Sequence, residues 1–240
     1  MTPRRHTGSS SSVRSWAAAL VVVAGYLACV GLGAGCGSSA PRNEMPSRRL
    51  TGEAALEDDE RPRFVVGELS LPEPPASVDV DEPALEPVLR HARALLAREL
   101  PAPEATLTRA ELSGFVEGRL AGWMNATAQG VRSLWDATLG LETRTLGVHV
   151  VARAITGATL VGLADRVDRL ALPESVRADA SLASGIHDAL DNASRPLRER
   201  ALQAFGACAS AAVGSADPTL DEWRFYCDRE NERAQTPRHE

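Results

Sequence analysis

Between residues 112 and 141 the apolar or tolerant positions fall at Leu112, Val116, Leu120, Trp123, Thr127, Val131, Leu134, Thr138 and Leu141. The steps between them, 4, 4, 3, 4, 4, 3, 4 and 3, follow the turn of an α-helix and exclude the two-residue period of a strand. Thr108 stands just before the stripe and Glu111 comes three residues later, the spacing of a capping box. Phe115 and Trp135 widen the stripe, so the segment predicts a long helix with one face in a core. Gly114, Gly118, Gly122 and Gly130 run along it. Each costs about 1 kcal/mol of helix propensity against Ala, and together they are expected to admit close approach of a neighbouring helix.

The same period extends to either side. From residue 82, Leu85, Val88, Leu89, Leu95 and Leu96 mark one face until Pro101 and Pro103 stop it. A third helix is predicted from about Thr145 to Leu170, punctuated by Pro173, and a fourth from about Glu174 to Ser194. Pro196 is expected to start or kink a fifth that ends near Gly214. Gly214-Ser215-Ala216-Asp217-Pro218 reads as a turn, and a last short helix covers about Leu220 to Glu232. No alternating pattern of useful length appears after residue 80. The expected fold class is therefore all-α, a helical bundle of about five to six helices over residues 84–232, with 233–240 as a disordered tail. Gly147 to Leu163 is mostly apolar, but it is short for a bilayer span and carries His149 and Arg153. With Ala154, Gly157 and Ala158 it reads as a closely packed core helix.

The N-terminus has a different grammar. Residues 1–15 hold Arg4, Arg5 and Arg14 and no acid, and residues 16–35 carry no charge at all. Gly33, Ala34 and Gly35 are small, and Cys36 follows them directly. A basic start, an apolar middle and small residues before a cut make a secretory signal peptide over residues 1–35. The arrangement resembles the lipobox of bacterial lipoproteins, in which the cysteine is acylated and becomes the new N-terminus. Here Gly33 replaces the usual Leu three places before the cysteine, with Leu32 one step further out. Cys29, after Tyr26-Leu27-Ala28, is a weaker second candidate; an uncleaved anchor and ordinary secretion are the other readings. The resemblance implies lipidation of Cys36, a membrane partner through that lipid and, because Gly37 and not Asp follows, sorting to the outer membrane, facing the periplasm or the cell surface. Residues 36–83 are then the lipidated cysteine and a tether, rich in Pro and Ser and holding the acid cluster Glu57-Asp58-Asp59-Glu60. Arg63 to Leu69 is the exception, an apolar run able to dock as an extended segment.

Charge enters here. The chain has 240 residues, no lysine, 26 Arg and 32 acids, a net charge of -6. Removal of residues 1–35 takes three Arg and no acid, so the mature chain stands near -9. That balance argues against a nucleic-acid partner and against attraction of the body to anionic headgroups.

Besides Cys29 and Cys36 there are only Cys208 and Cys227, with eighteen residues between them. With helical flanks around the 214–218 turn they sit on antiparallel arms, and in an exported protein they are expected to form a disulfide. A metal site needs more ligands, and a redox pair would more often show C-x-x-C. The tail, with Phe205, Cys208, Trp223, Cys227 and Glu230, resembles the C-terminal segment of predicted lipoproteins of myxobacteria and related bacteria. That likeness covers about 30 residues, implies a disulfide-closed helical hairpin in a bacterial lipoprotein, and brings no activity with it. Trp223 and Cys227 are four apart, so Trp223 is expected to pack beside the bridge.

No catalytic, cofactor or metal motif is present. His91, His149 and His187 are isolated, with no HxxxH or HExxH partner. Asp165 with Asp168, and Asp188 with Asp191, are i,i+3 carboxylate pairs able in principle to act as acid and base. Arg166, Arg169 and Arg195 lie close in sequence, so solvated ion pairing is the expected role. The leading expectation is a lipid-anchored envelope protein with a structural or interaction role, an unidentified envelope partner, no cofactor and no enzymatic activity. The alternatives are an envelope enzyme assembled from scattered residues such as His149, Asp165 and His187, and a membrane-perturbing protein.

Overall fold

The computed structural model describes residues 63–75, 78, 83–104 and 108–235. The expected signal peptide, Cys29, Cys36 and the acid cluster 57–60 lie outside the described residues, as does the end of the tail.

A long helical rod carries the stripe that opened the sequence. It starts as α2 (Arg109–Gly114), passes through a π-helical stretch (Phe115–Leu120) and continues as α3 (Ala121–Leu139). The capping box is formed: the Glu111 carboxylate accepts from Thr108 N–H at 2.8 Å, and Thr108 Oγ1 accepts from Glu111 N–H at 3.4 Å. All nine stripe positions from Leu112 to Leu141 are buried. The two opening four-residue steps, 112 to 116 to 120, overlap the π stretch, whose i to i+5 bonding holds more residues per turn and keeps such steps aligned.

The centre of the fold is α4 (Leu146–Asp168), apolar on nearly every side. Such a helix must be enclosed, and α6 (Ala180–Ala212) lies antiparallel along much of its length. The preceding α1 (Glu86–Leu96), α3, α7 (Pro218–Gln235) and a small β-hairpin cover the remainder. The short α5 (Glu174–Arg177) links α4 to α6. By length and composition α4 could cross a bilayer, yet most of it is buried inside the fold, as expected of a core helix.

Two glycines set helix spacing. A Cβ at Gly157 would lie 2.7 Å from the Phe205 ring, so the α4–α6 crossing needs glycine there. A Cβ at Gly130 would lie 2.7 Å from Leu95 Cδ2, where α1 crosses α3. Gly114, Gly118 and Gly122 have open space beside them, so the expectation that all four glycines admit a helix holds only for Gly130.

The all-α class is correct, with two local corrections. First, Pro196 breaks nothing: α6 is one helix of 33 residues with the proline inside it. The ring removes one backbone donor, but α6 is held to α4 just beyond it by buried Leu197, the Arg198 ion pairs and the Phe205–Gly157 contact. Second, part of the stretch expected to be tether is folded. Strands β1 (Arg63–Val66) and β2 (Leu69–Pro72) pair antiparallel, Phe64 opposite Leu71 and Val66 opposite Leu69. Gly67 takes φ of 62° at the first turn position, the conformation a two-residue II′ hairpin requires. The period of two puts Phe64, Val66, Leu69 and Leu71 against the helices and leaves Val65 outside. Pro75 and Val78 beyond the hairpin are buried as well, so the described fold takes in residues that the sequence assigned to the tether.

Candidate functional site

Three polar or cross-linked centres stand out, each built where helices meet. The first is the C-terminal hairpin. Asp217 opens α7 by accepting from Thr219 N–H at 3.0 Å, with Pro218 as first helical residue. This turn returns α7 along α6, and Cys208 and Cys227 form a disulfide with Cα atoms 6.2 Å apart. Both cysteines are fully buried. Trp223 packs one turn from the bridge as expected, edge-on to Tyr226 at 6.2 Å, and Tyr226 meets Phe205 at 6.3 Å. Burial, reinforced by Glu230, pushes the Tyr226 phenol well above its ordinary pKa. Phe225 points the other way, 63% exposed beneath the Arg224 guanidinium.

The second centre joins α4 to α6. Arg198 reaches both Asp165, at 3.0 Å, and Asp168, and Arg169 adds a contact to Asp165 at 3.4 Å. Burial disfavours the Arg198 charge, but the hydrogen bonds and charges of the two aspartates outweigh it and raise its pKa. The predicted carboxylate pairing of Asp165 and Asp168 with arginine is present, but in a largely enclosed seam and not in solvent. The principal partner is Arg198, which sequence proximity did not single out. Arg166 turns instead to Glu68 of the hairpin turn, at 2.5 Å, and to the Arg98 carbonyl at 3.4 Å.

The third centre surrounds Arg153, near the start of α4. Its side chain is 7% exposed, although it carries a charge. Glu142, from the loop joining α3 to α4, pairs with Arg153 Nη2. Arg153 Nε–H donates to His149 Nε2 at 3.2 Å, and the guanidinium lies 5.5 Å from the centre of the Trp135 ring. Beneath, Thr138 and Thr156 share a 2.7 Å hydrogen bond between α3 and α4. Burial first, and the Arg153 charge second, hold His149 below its ordinary pKa, against the opposing pull of Glu142. His149 Nε2 serves Arg153 as a hydrogen-bond acceptor. The signal for this site in the sequence was a lone arginine in an apolar helix, with His149 four residues before it.

These centres do not merge. His149 and Asp165 are sixteen residues apart on one helix, about 24 Å along its axis. His187 is exposed on α6, eleven residues before the Arg198 that faces Asp165, on the side away from His149. The three residues named for an alternative enzyme site are thus not brought together. Asp188 and Asp191 lie exposed near His187. Among the described residues no group of three His, Cys, Asp or Glu side chains is placed to hold a metal. The proposed lipidation residue, Cys36, lies outside the described residues. No protein-family model, curated protein or solved structure matches the chain.

Proposed function

We propose that the chain is a lipid-anchored envelope protein, acylated at Cys36, whose helical domain has a structural or interaction role and no catalytic activity. The observation that carries this reading is the buried Cys208–Cys227 disulfide, a bond at home in an oxidising compartment. An uncharged stretch over residues 16–35, followed at once by Cys36, is the kind of signal that delivers a chain to such a compartment and anchors it there. The resemblance of the tail to predicted myxobacterial lipoproteins supports the same reading, and Gly37 after the cysteine, by resemblance to the lipoprotein sorting rule, favours the outer membrane as location. The separation of His149, Asp165 and His187 weighs against the enzyme alternative, and the enclosure of α4 weighs against a membrane-perturbing one.

Mass spectrometry of the native protein tests the anchor. A first residue at acylated Cys36, with residues 1–35 missing, is the expected result, and Cys36→Ser should shift the protein out of the membrane fraction. An unmodified Cys36 within an intact N-terminus would overturn it.

A further inference from the structure

We propose that Arg153 is a docking point for a carboxylate of a partner protein, and that Glu142 is an internal stand-in which that carboxylate displaces. This rests on the interaction role inferred above and names its chemistry; it does not depend on the anchor.

A guanidinium that is 7% exposed needs compensation, since burying a charge is costly unless it is paired. Here the compensation is unequal. Trp135 and His149 are fixed by helices α3 and α4. Glu142, the only carboxylate paired with Arg153 among the described residues, sits on the connecting loop and is 51% exposed. Glu142 can turn into water, but Arg153 cannot be left bare, so Glu142 is released only where another oxyanion takes its place. Arg153 meets it through Nη2 alone, whereas a guanidinium fork can grip a carboxylate with two parallel bonds.

The surroundings fit a protein partner better than a small ion. Leu146, His149 and Arg153 follow one face of α4 at i, i+3 and i+7, and Trp135 and Leu139 follow one face of α3 at i and i+4. Leu139 is 39% exposed and Leu146 40%, one at each end of the loop that carries Glu142. The result is an Arg–Trp pair, the residue types most often found at interface hot spots, with leucines on its rim. The occupant of matching chemistry is a glutamate or aspartate side chain flanked by apolar residues on a partner surface.

The test uses the purified full chain and two probes, an acetylated peptide Leu-Ala-Glu-Leu-Leu and its Gln counterpart, titrated by calorimetry. Glu142→Gln keeps the loop residue's size but removes the competing charge, and should bind the Glu peptide about fivefold or more tightly than the unmodified chain. The Gln peptide should not gain, and Trp135→Leu in the Glu142→Gln background should lose the gain. Arg153→Met in the same background should abolish binding; should that variant fail to fold, Trp135→Leu and the Gln peptide carry the test. Equal responses of Glu142→Gln and the unmodified chain to the Glu peptide, or equal responses of Glu142→Gln to both peptides, overturn the proposal. The mass-spectrometric result for Cys36 is unaffected either way.

Discussion

The indole N–H of Trp223 donates to the backbone carbonyl of Glu73 at 2.9 Å, across 150 residues of sequence. One side chain thereby joins the disulfide-closed hairpin of α6 and α7 to the segment that leaves β2 towards α1. A second tie, Glu68 to Arg166 at 2.5 Å, fastens the turn of the same β-hairpin to α4. Both ties hold the hairpin and the residues after it to partners in the last third of the chain.

Trp223→Phe keeps the aromatic packing and removes the donor. It should cost about 1 to 2 kcal/mol, read as a lower urea midpoint at unchanged slope. Amide exchange over residues 63–75 should accelerate more than in α4. An unchanged exchange pattern would show that the hairpin is held without this bond.

Removal of the bridge by Cys208→Ser with Cys227→Ser should cost about 3 kcal/mol, the loop-closure value for a ring of this size. In the unaltered protein, denatured without reductant, neither cysteine should react with a thiol reagent. Two titratable thiols at these positions would refute the bridge.

Two glycines should respond in opposite directions. Gly157→Ala drives a Cβ to 2.7 Å from the Phe205 ring and should destabilise by about 1 to 3 kcal/mol. Gly122→Ala meets nothing within 4 Å in a helix and should stabilise by up to about 1 kcal/mol. Thermal unfolding of the two variants checks both signs.

Arg198→Met leaves Asp165 and Asp168 facing each other in a largely enclosed seam. The loss should be about 3 kcal/mol, because Asp168 then keeps an enclosed charge without the arginine that faces it, while Asp165 retains Arg169. Urea midpoints of the two proteins read this out.

His149 gives a pH signature. Its pKa is lowered in the folded state by burial and Arg153, so between the folded and unfolded values the unfolded chain binds more protons. Its contribution to stability is complete above the unfolded value of about 6.5 and is lost as pH falls from there through the folded value. His149→Gln should flatten the stability profile in that window, and an unaltered slope would exclude the effect.

The buried stripe from Leu112 to Leu141, the Thr108–Glu111 cap and the Cys208–Cys227 pairing were all legible from residue spacing. The hairpin was legible only as a docked extended stretch, because four-residue strands carry too few alternations to announce themselves. The Arg153 site was half visible. An arginine in an apolar helix demands partners, and His149 lies one turn away, but Glu142 is brought in by the loop and Trp135 by the packing of α3 on α4.

The sequence by itself determined what acts within one turn of chain: helix period, cap chemistry, the turn ahead of α7 and the positive-φ residue of the hairpin. These bonds close over two to five residues, so local composition decides them. Only the tertiary structure decided that Pro196 would be carried inside a continuous helix. It also chose Arg198 over nearer arginines for Asp165 and Asp168, and put one glycine against a ring while leaving three beside open space. In each case the deciding contact joins residues far apart in the chain, and its energy exceeds the local preference that pointed elsewhere.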